Sequence, residues 1–208
     1  MLSSGAHGEV WLATQLGLER AAVVKLLRPQ ASLSDELTGQ FRTEARVTAA
    51  LAHPGIVVLL DHGADPSGAW IAYEHVPGGS LADAIRVGPL PWRRALEAAQ
   101  QVAEALGHAH AAGVVHRDVK PANILVDGDR YKRADFGSAR WDELSSGRTA
   151  PGVVLGSPAY LPPEVRFGAA AGATTDVFAL GITTIQLITG HLPATLPAAS
   201  EDVKRLAP

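Results

Sequence analysis

The pattern of apolar and polar positions predicts strands in the first third of the chain and helices afterwards. The run Ala21–Leu27 is apolar except for Lys25, which predicts a buried strand that carries one charge. Two further strands are predicted over residues 56–61 and 70–74. Before them, residues at helical spacing predict a helix from about Ser34 to Leu51, namely Leu37, Phe41, Ala45, Thr48 and Leu51.

The second half of the chain is predicted to contain two long helices. Pro91 suits a first helical turn, and the helix that it opens should reach about Ala112. A second helix should follow from Thr175 to about Thr189, and it is apolar on nearly every side. The 3,4,3,4 spacing in the first helix predicts a buried stripe of Leu96, Ala99, Ala103, Leu106 and His110.

A polar loop lies between these two helices, bracketed by the short apolar runs Val114-Val115 and 124–126. The apolar flanks should be buried strands that fix both ends of the loop. They would present Asp118, Lys120 and Asn123 from a rigid base. An Asp can accept a proton from a hydroxyl, a Lys can neutralise a phosphate, and an Asn can ligate Mg²⁺, so the loop suits phosphoryl transfer.

Composition narrows the classes of function further. The 208 residues include 18 basic and 21 acidic ones, for a net charge of −3, so nothing argues for a nucleic acid or an anionic membrane as partner. There are no cysteines and no apolar run of membrane-spanning length, and a cytoplasmic location is expected. A zinc site at His108, His110 and His116 is disfavoured. Helical residues two apart do not face each other, and His116 belongs to the polar loop.

The run 114–126 closely resembles the catalytic loop of serine/threonine protein kinases of the bacterial, eukaryotic-like type. Further motifs follow in the family's order. Asp135-Phe136-Gly137 comes seventeen residues after Asp118 and resembles the magnesium motif. The segment 156–164 resembles the end of the activation segment, with Ser157 at the position typical of serine/threonine kinases.

The resemblance implies an α+β, bilobal fold with a small β-rich lobe and a mainly helical lobe. It places the small lobe at residues 1–74, the hinge at 74–79 and the large lobe at 80–208. It also implies a strand ahead of Met1 and further helices after Pro208, so the chain is expected to be a partial domain, truncated at both ends.

The same resemblance implies the roles of the polar residues. Asp118 would be the base and Lys120 would steady the transferred phosphate. Asn123 and Asp135 would hold Mg²⁺. Lys25, paired with Glu44 on the first helix, would hold the α and β phosphates of ATP.

Other residues are implied to contact the nucleotide. The segment 3–10 resembles the glycine-rich loop that closes over phosphates, with Gly5 and Gly8 as its glycines. The hinge would bind adenine through Glu74 C=O and Val76 N–H, with Tyr73 as a bulky gatekeeper. Val10 and Leu125 complete this set, and Ser80 should cap the helix after the hinge.

A further group of residues is implied to shape and regulate the site. Asp176 would accept hydrogen bonds from the backbone of the His116-Arg117 turn. Thr149 is the expected activating phosphosite, and Arg117 is the cation that could pair with its phosphate. Glu164 belongs to the peptide platform with Ser157.

The sequence also departs from the family at several places. Ser3 stands for the first glycine, Val23 and Pro163 stand for alanines, and Arg133 stands for an aliphatic residue. We expect Arg133 to be partly exposed, with its stem packed and its head in water.

The expected reaction is phosphorylation of Ser or Thr hydroxyls on protein substrates, using ATP and Mg²⁺, with dimerisation serving autophosphorylation. One alternative is a pseudokinase or nucleotide-binding scaffold. Ser3, Val23, Arg133 and the missing ends favour it slightly, but the five core polar residues are intact. Another is a small-molecule phosphotransferase of related fold. Lys120 and the segment 157–164 argue against the second alternative, because they serve a peptide substrate.

Overall fold

A computed structural model describes residues 1–4, 8–27, 35–65, 68–136, 140–141 and 157–193. Its first part is an antiparallel sheet in the order β1-β2-β3-β5-β4, with helix α1 packed on one face. The bounds are β1 Ser3–Ser4, β2 Gly8–Gln15, β3 Arg20–Leu27, α1 Asp35–Ala50, β4 Leu59–Asp65 and β5 Gly68–Glu74.

The apolar faces predicted from the sequence form the core of this part. Leu27 of β3 and Ile71 of β5 pack against Phe41 and Ala45 of α1. At the start of β2, a Cβ on Gly8 would lie 2.2 Å from the carbonyl oxygen of Leu26, so only glycine allows this approach of the two strands.

The strand predicted over 56–61 is displaced in the structure. Strand β4 begins at Leu59, while Ile56 and Val57 pair instead with Arg133. The reason is that this apolar run is divided between two partners. Ile56 and Val57 pair with β8 of the helical part, and the residues from Leu59 onwards pair with β5 of the sheet.

The remainder is mainly helical. Its elements are α2 Leu81–Val87, α3 Trp92–Ala111, β6 Val114–Val115, β7 Ile124–Asp127, β8 Arg130–Arg133, β9 Arg140–Trp141, α4 Pro163–Arg166 and α5 Ala173–Thr189. Ser80 caps α2 as predicted, since its Oγ accepts from Asp83 N at 3.2 Å and its N–H donates to Asp83 Oδ2 at 2.9 Å. Within the described ranges, no helix combines the length and the apolar character that crossing a bilayer would require.

The predicted buried stripe of α3 is wrong for most of its members. Leu96 is 48% exposed and Ala103 is exposed, whereas the buried side chains are Ala95, Ala98, Val102, Ala105, Leu106 and Ala109. Both stripes have the same spacing, so the pattern alone could not choose between them. The small side chains face inwards, and several of them share one core cluster with Ala179 and Leu187 of α5.

Candidate active site

The polar loop between β6 and β7 is anchored at both ends, as its flanks predicted. Val114, Val115 and Ile124 are at most 2% exposed. His116, the first residue of the loop, packs its ring on Phe136 with the ring centroids 4.6 Å apart. The loop is therefore fixed to β6, to β7 and to the segment that follows β8.

A buried carboxylate on α5 holds the first turn of this loop. Asp176 is 0% exposed, and its two oxygens accept from the backbone N–H groups of His116 and Arg117, each at 2.8 Å. His110 Nε2 lies 2.8 Å from the same carboxylate. Burial alone would raise the pKa of Asp176, but these partners outweigh burial and lower it. Arg117 has a φ of 69°, which is costly for a side chain with a Cβ, and the Asp176 bonds stabilise that conformation.

The carboxylate of Asp118 is surrounded by donors. Its Oδ2 lies 2.7 Å from Lys120 Nζ and 2.9 Å from Asn123 Nδ2. Its Oδ1 accepts from both the N–H and the hydroxyl of Ser157, each at 3.1 Å. Lys120 Nζ also donates to Ser157 Oγ at 2.9 Å. Although burial opposes ionisation, these donors lower the pKa of Asp118, so the group is anionic at neutral pH.

Asn123 and Asp135 offer oxygens that suit Mg²⁺. Asn123 uses its Nδ2 to donate to Asp118, which leaves its Oδ1 as the atom available to a cation. Asp135 is about half exposed and has a φ of 60°, and its Oδ1 lies 3.1 Å from Lys25 Nζ. One carboxylate and one amide fit Mg²⁺, which binds few protein ligands beside phosphate oxygens and water.

Lys25 of β3 and Glu44 of α1 form the expected pair. Lys25 Nζ lies 2.9 and 2.7 Å from the two oxygens of Glu44, which is 3% exposed. Burial alone would lower the pKa of Lys25, but Glu44 and Asp135 raise it to about 12. Burial raises the pKa of Glu44 despite the opposing effect of Lys25. Tyr73 is a further partner that the sequence did not suggest, since its hydroxyl donates to Glu44 Oε1 at 2.7 Å.

The segment after β5 is tied to β7 and β8. Gly78 N donates to Val126 O at 3.1 Å, and a Cβ on Gly78 would lie 2.2 Å from that oxygen. The Glu74 carboxylate accepts from Lys132 Nζ at 2.9 and 2.8 Å and from Val58 N at 2.9 Å.

The remaining predicted site residues lie at several places. Val76 is buried, and Leu125 is half-buried and bridges to Ser80. Val10 is half-buried on β2 opposite Lys25 in the register. Glu164 is exposed on α4. Gly5 and Thr149 lie outside the described residues.

A family model of the protein kinase domain matches residues 1–206. The chain belongs to the protein kinase family. The kinase prediction and the predicted α+β kinase fold are thereby confirmed.

Relatives of this kinase domain include serine/threonine-protein kinase pkn2 of Myxococcus xanthus, which is 37% identical over 92% of this chain and 24% of its own length. PknJ of Mycobacterium tuberculosis is 38% identical over 93% of this chain and 33% of its own length. PknA of the same organism is 36% identical over 100% of this chain and 51% of its own length.

The kinase domain therefore spans about a quarter to a half of the length of these relatives. All three are named serine/threonine-protein kinases, which agrees with the serine/threonine type predicted from the sequence. Protein kinases use ATP as a substrate and act on proteins.

Arg133 corrects one expectation about this kinase domain. Instead of being partly exposed, it is 0% exposed. Its Nη1 donates to Asn123 O at 2.7 Å, and its Nη2 lies 2.9 Å from Nδ1 and 2.5 Å from Nε2 of His116. Burial lowers the pKa of Arg133 to about 10, still far above neutrality, so the group remains charged. Tyr131 and Arg133 lie two apart in β8 and both point inwards, as the alternation of a strand requires.

Proposed function

We propose that this kinase domain transfers the γ-phosphoryl group of ATP to Ser or Thr hydroxyls of protein substrates. The observation that carries the proposal is the environment of Asp118. Its carboxylate is ionised, partly accessible and oriented by Lys120, Asn123 and Ser157. Such a carboxylate can orient a substrate hydroxyl and accept its proton as the oxygen attacks phosphorus.

Lys120 and Lys25 supply positive charge on opposite sides of the transferred phosphoryl group, Lys120 towards the substrate and Lys25 towards the nucleotide. Lys120, already beside Asp118, can neutralise the phosphoryl group as it moves towards the substrate. Lys25, held by Glu44, can hold the phosphates that stay with the leaving nucleotide. Gly8 and Val10 would cover the nucleotide, and the backbone of Glu74 and Val76 would bind adenine.

Asn123 and Asp135 are the residues that would hold Mg²⁺. The ion would neutralise charge that develops on the phosphates. Asn123 is kept in place by its two bonds to Asp118, at 3.0 and 2.9 Å, so the base and the cation ligand are positioned together.

Proteins are the proposed substrates because Ser157 bonds directly to the catalytic carboxylate. A peptide bound along the segment 157–164 would therefore lie next to Asp118. Autophosphorylation at Thr149, with Arg117 as the cation that pairs with the phosphate, stays part of the proposal, as do dimerisation and a cytoplasmic location.

The substitution Asp118→Asn tests the proposal most directly. We expect phosphoryl transfer to peptides to fall by roughly 10²–10⁴-fold, because the base is lost, while the Kd for ATP stays within about threefold. Asp129→Asn is the matched control, since Asp129 is 87% exposed and lies on the surface. An Asp118→Asn variant that keeps half of the wild-type rate would refute the assignment of the base.

A further inference from the structure

A buried guanidinium lies directly beneath the catalytic loop, where the family resemblance implies an aliphatic side chain. Arg133 reaches three points of that loop. Nη1 donates to Asn123 O at 2.7 Å, and Nη2 lies against the His116 ring and 3.3 Å from Asp118 O. These acceptors belong to the first residue of the loop, to the proposed base and to a proposed cation ligand.

The stability of the fold does not explain this arginine. Removing a guanidinium from water is expensive, and the carboxylates of Asp176, Asp118 and Asp135 offset only part of the cost, since burial still lowers the pKa of Arg133. Arg133 Nε is moreover buried without a hydrogen-bond partner in the described part of the chain. An aliphatic side chain at this position would avoid both costs.

The geometry of the Arg133 side chain instead suits a role in fixing the main chain of the catalytic loop. A guanidinium presents several donors in one rigid plane, so a single side chain can fix groups that lie apart in the sequence. The backbone of Arg133 is itself fixed, because its N–H donates to Gly55 O at 2.7 Å and its C=O accepts from Val57 N at 2.9 Å. The donors therefore project from a firm base towards the loop.

We propose that Arg133 is a positioning residue, whose guanidinium holds the main chain of the catalytic loop at Asp118 and Asn123 in the geometry for phosphoryl transfer. The inference rests on the proposed function. It adds a residue to which neither the motifs nor the resemblance assigns a role. Small displacements of reacting groups can lower a rate by about 10²-fold, so a brace beneath the loop affects turnover more than folding.

The test separates activity from stability with three variants. Arg133→Leu removes the donors and fills most of the space, Arg133→Lys keeps the charge but not the fork, and Arg130→Leu makes the same change at an exposed position of β8. For Arg133→Leu we expect a kcat per ATP-binding site at least tenfold below wild type. Arg133→Lys should give an intermediate kcat, and Arg130→Leu should match wild type.

Rates are normalised to the concentration of sites that bind ATP, so partial unfolding cannot imitate a slower reaction. A normalised kcat of Arg133→Leu within twofold of wild type would overturn the proposal. If that variant does not fold, Arg133→Lys decides, and a wild-type kcat there would overturn the proposal as well.

A second readout keeps this inference separate from the proposed function. The Kd for ATP is measured with and without Mg²⁺ on the same samples. Arg133→Leu should leave the Kd without Mg²⁺ within twofold, but it should reduce the Mg²⁺-dependent gain in affinity at least threefold, because Asn123 is held less firmly. If the wild-type protein binds ATP but transfers no phosphoryl group, the proposed function fails. An unchanged Mg²⁺-dependent gain in ATP affinity in Arg133→Leu would refute the role of Arg133 independently of that outcome.

Discussion

Removal of the Tyr73 hydroxyl should weaken nucleotide binding without changing the size of the side chain. Glu44 accepts three hydrogen bonds, two from Lys25 and one from Tyr73 at 2.7 Å. Tyr73→Phe removes only the third. Lys25 Nζ also lies 3.1 Å from Asp135 Oδ1. When Glu44 loses the bond from Tyr73, it holds Lys25 less firmly, and the lysine can turn towards Asp135.

The magnitude follows from the hydrogen bond that is lost. A hydrogen bond to a charged group contributes about 1.5–3 kcal/mol. Glu44 keeps both bonds from Lys25, so the lower end applies, and about 1.4 kcal/mol corresponds to a tenfold change in an equilibrium. We therefore expect kcat/KM for ATP to fall about tenfold at neutral pH in Tyr73→Phe.

The direction of the pH dependence gives a second check. The Tyr73 hydroxyl lowers the pKa of Glu44, against the effect of burial. Its removal must therefore raise that pKa, and the acid limb of the kcat/KM profile for ATP should move to higher pH.

The assay is steady-state transfer to a peptide at varied ATP concentration, from pH 5 to 9. Tyr131→Phe is the matched control, because the described part of the chain shows no hydrogen bond to the Tyr131 hydroxyl. A Tyr73→Phe variant with kcat/KM within twofold of wild type and an unmoved acid limb would refute this account of Glu44.

Three further predictions concern stability and are measured by urea unfolding. Asp176→Asn leaves a buried backbone N–H without its acceptor, so it should lower the free energy of unfolding by about 1–3 kcal/mol. Because the fold lowers the pKa of Asp176, the wild type loses this advantage as the carboxylate is protonated, and the difference in stability should narrow below about pH 3.9. Lys132→Met removes the partner of Glu74 and should cost about 0.5–1 kcal/mol, and a larger loss would show that the pair is stronger than its partial exposure implies. Leu96→Ser should change stability by less than about 0.5 kcal/mol, whereas Leu106→Ala should cost about 2–5 kcal/mol. A comparable loss in Leu96→Ser would restore the stripe predicted from the sequence, which contains both leucines.

Much of the fold was predictable because its signals are local. The alternation of apolar runs and turn residues gave β3, β7 and α5 within a few residues, and Ser80 was recognisable as a cap. The polar residues of the catalytic loop could be selected because Val114-Val115 and Ile124 flank them, and their roles came from the family resemblance.

The features that were missed depend on packing between distant segments. Two stripes of α3 have equal spacing, and only contact with α5 favours the alanines over Leu96. The bond from Tyr73 to Glu44 joins residues 29 positions apart, on a strand and a helix. Arg133 was misjudged because a charged side chain is ordinarily placed in water, whereas here acceptors of the catalytic loop and the nearby carboxylates of Asp118, Asp135 and Asp176 compensate its burial.

The pairing of Ile56 and Val57 with β8 has a consequence for movement between the two parts of the molecule. Val47 and Leu51 near the end of α1 share one buried cluster with Ala105 and other residues of the helical part. The helix that carries Glu44 is thus fastened at its C-terminal end to the part that carries Asp118. If the sheet rotates relative to the helical part, the contact at the end of α1 would be the pivot. Because Lys25 moves with the sheet, such a rotation would change the distance between Lys25 and Glu44.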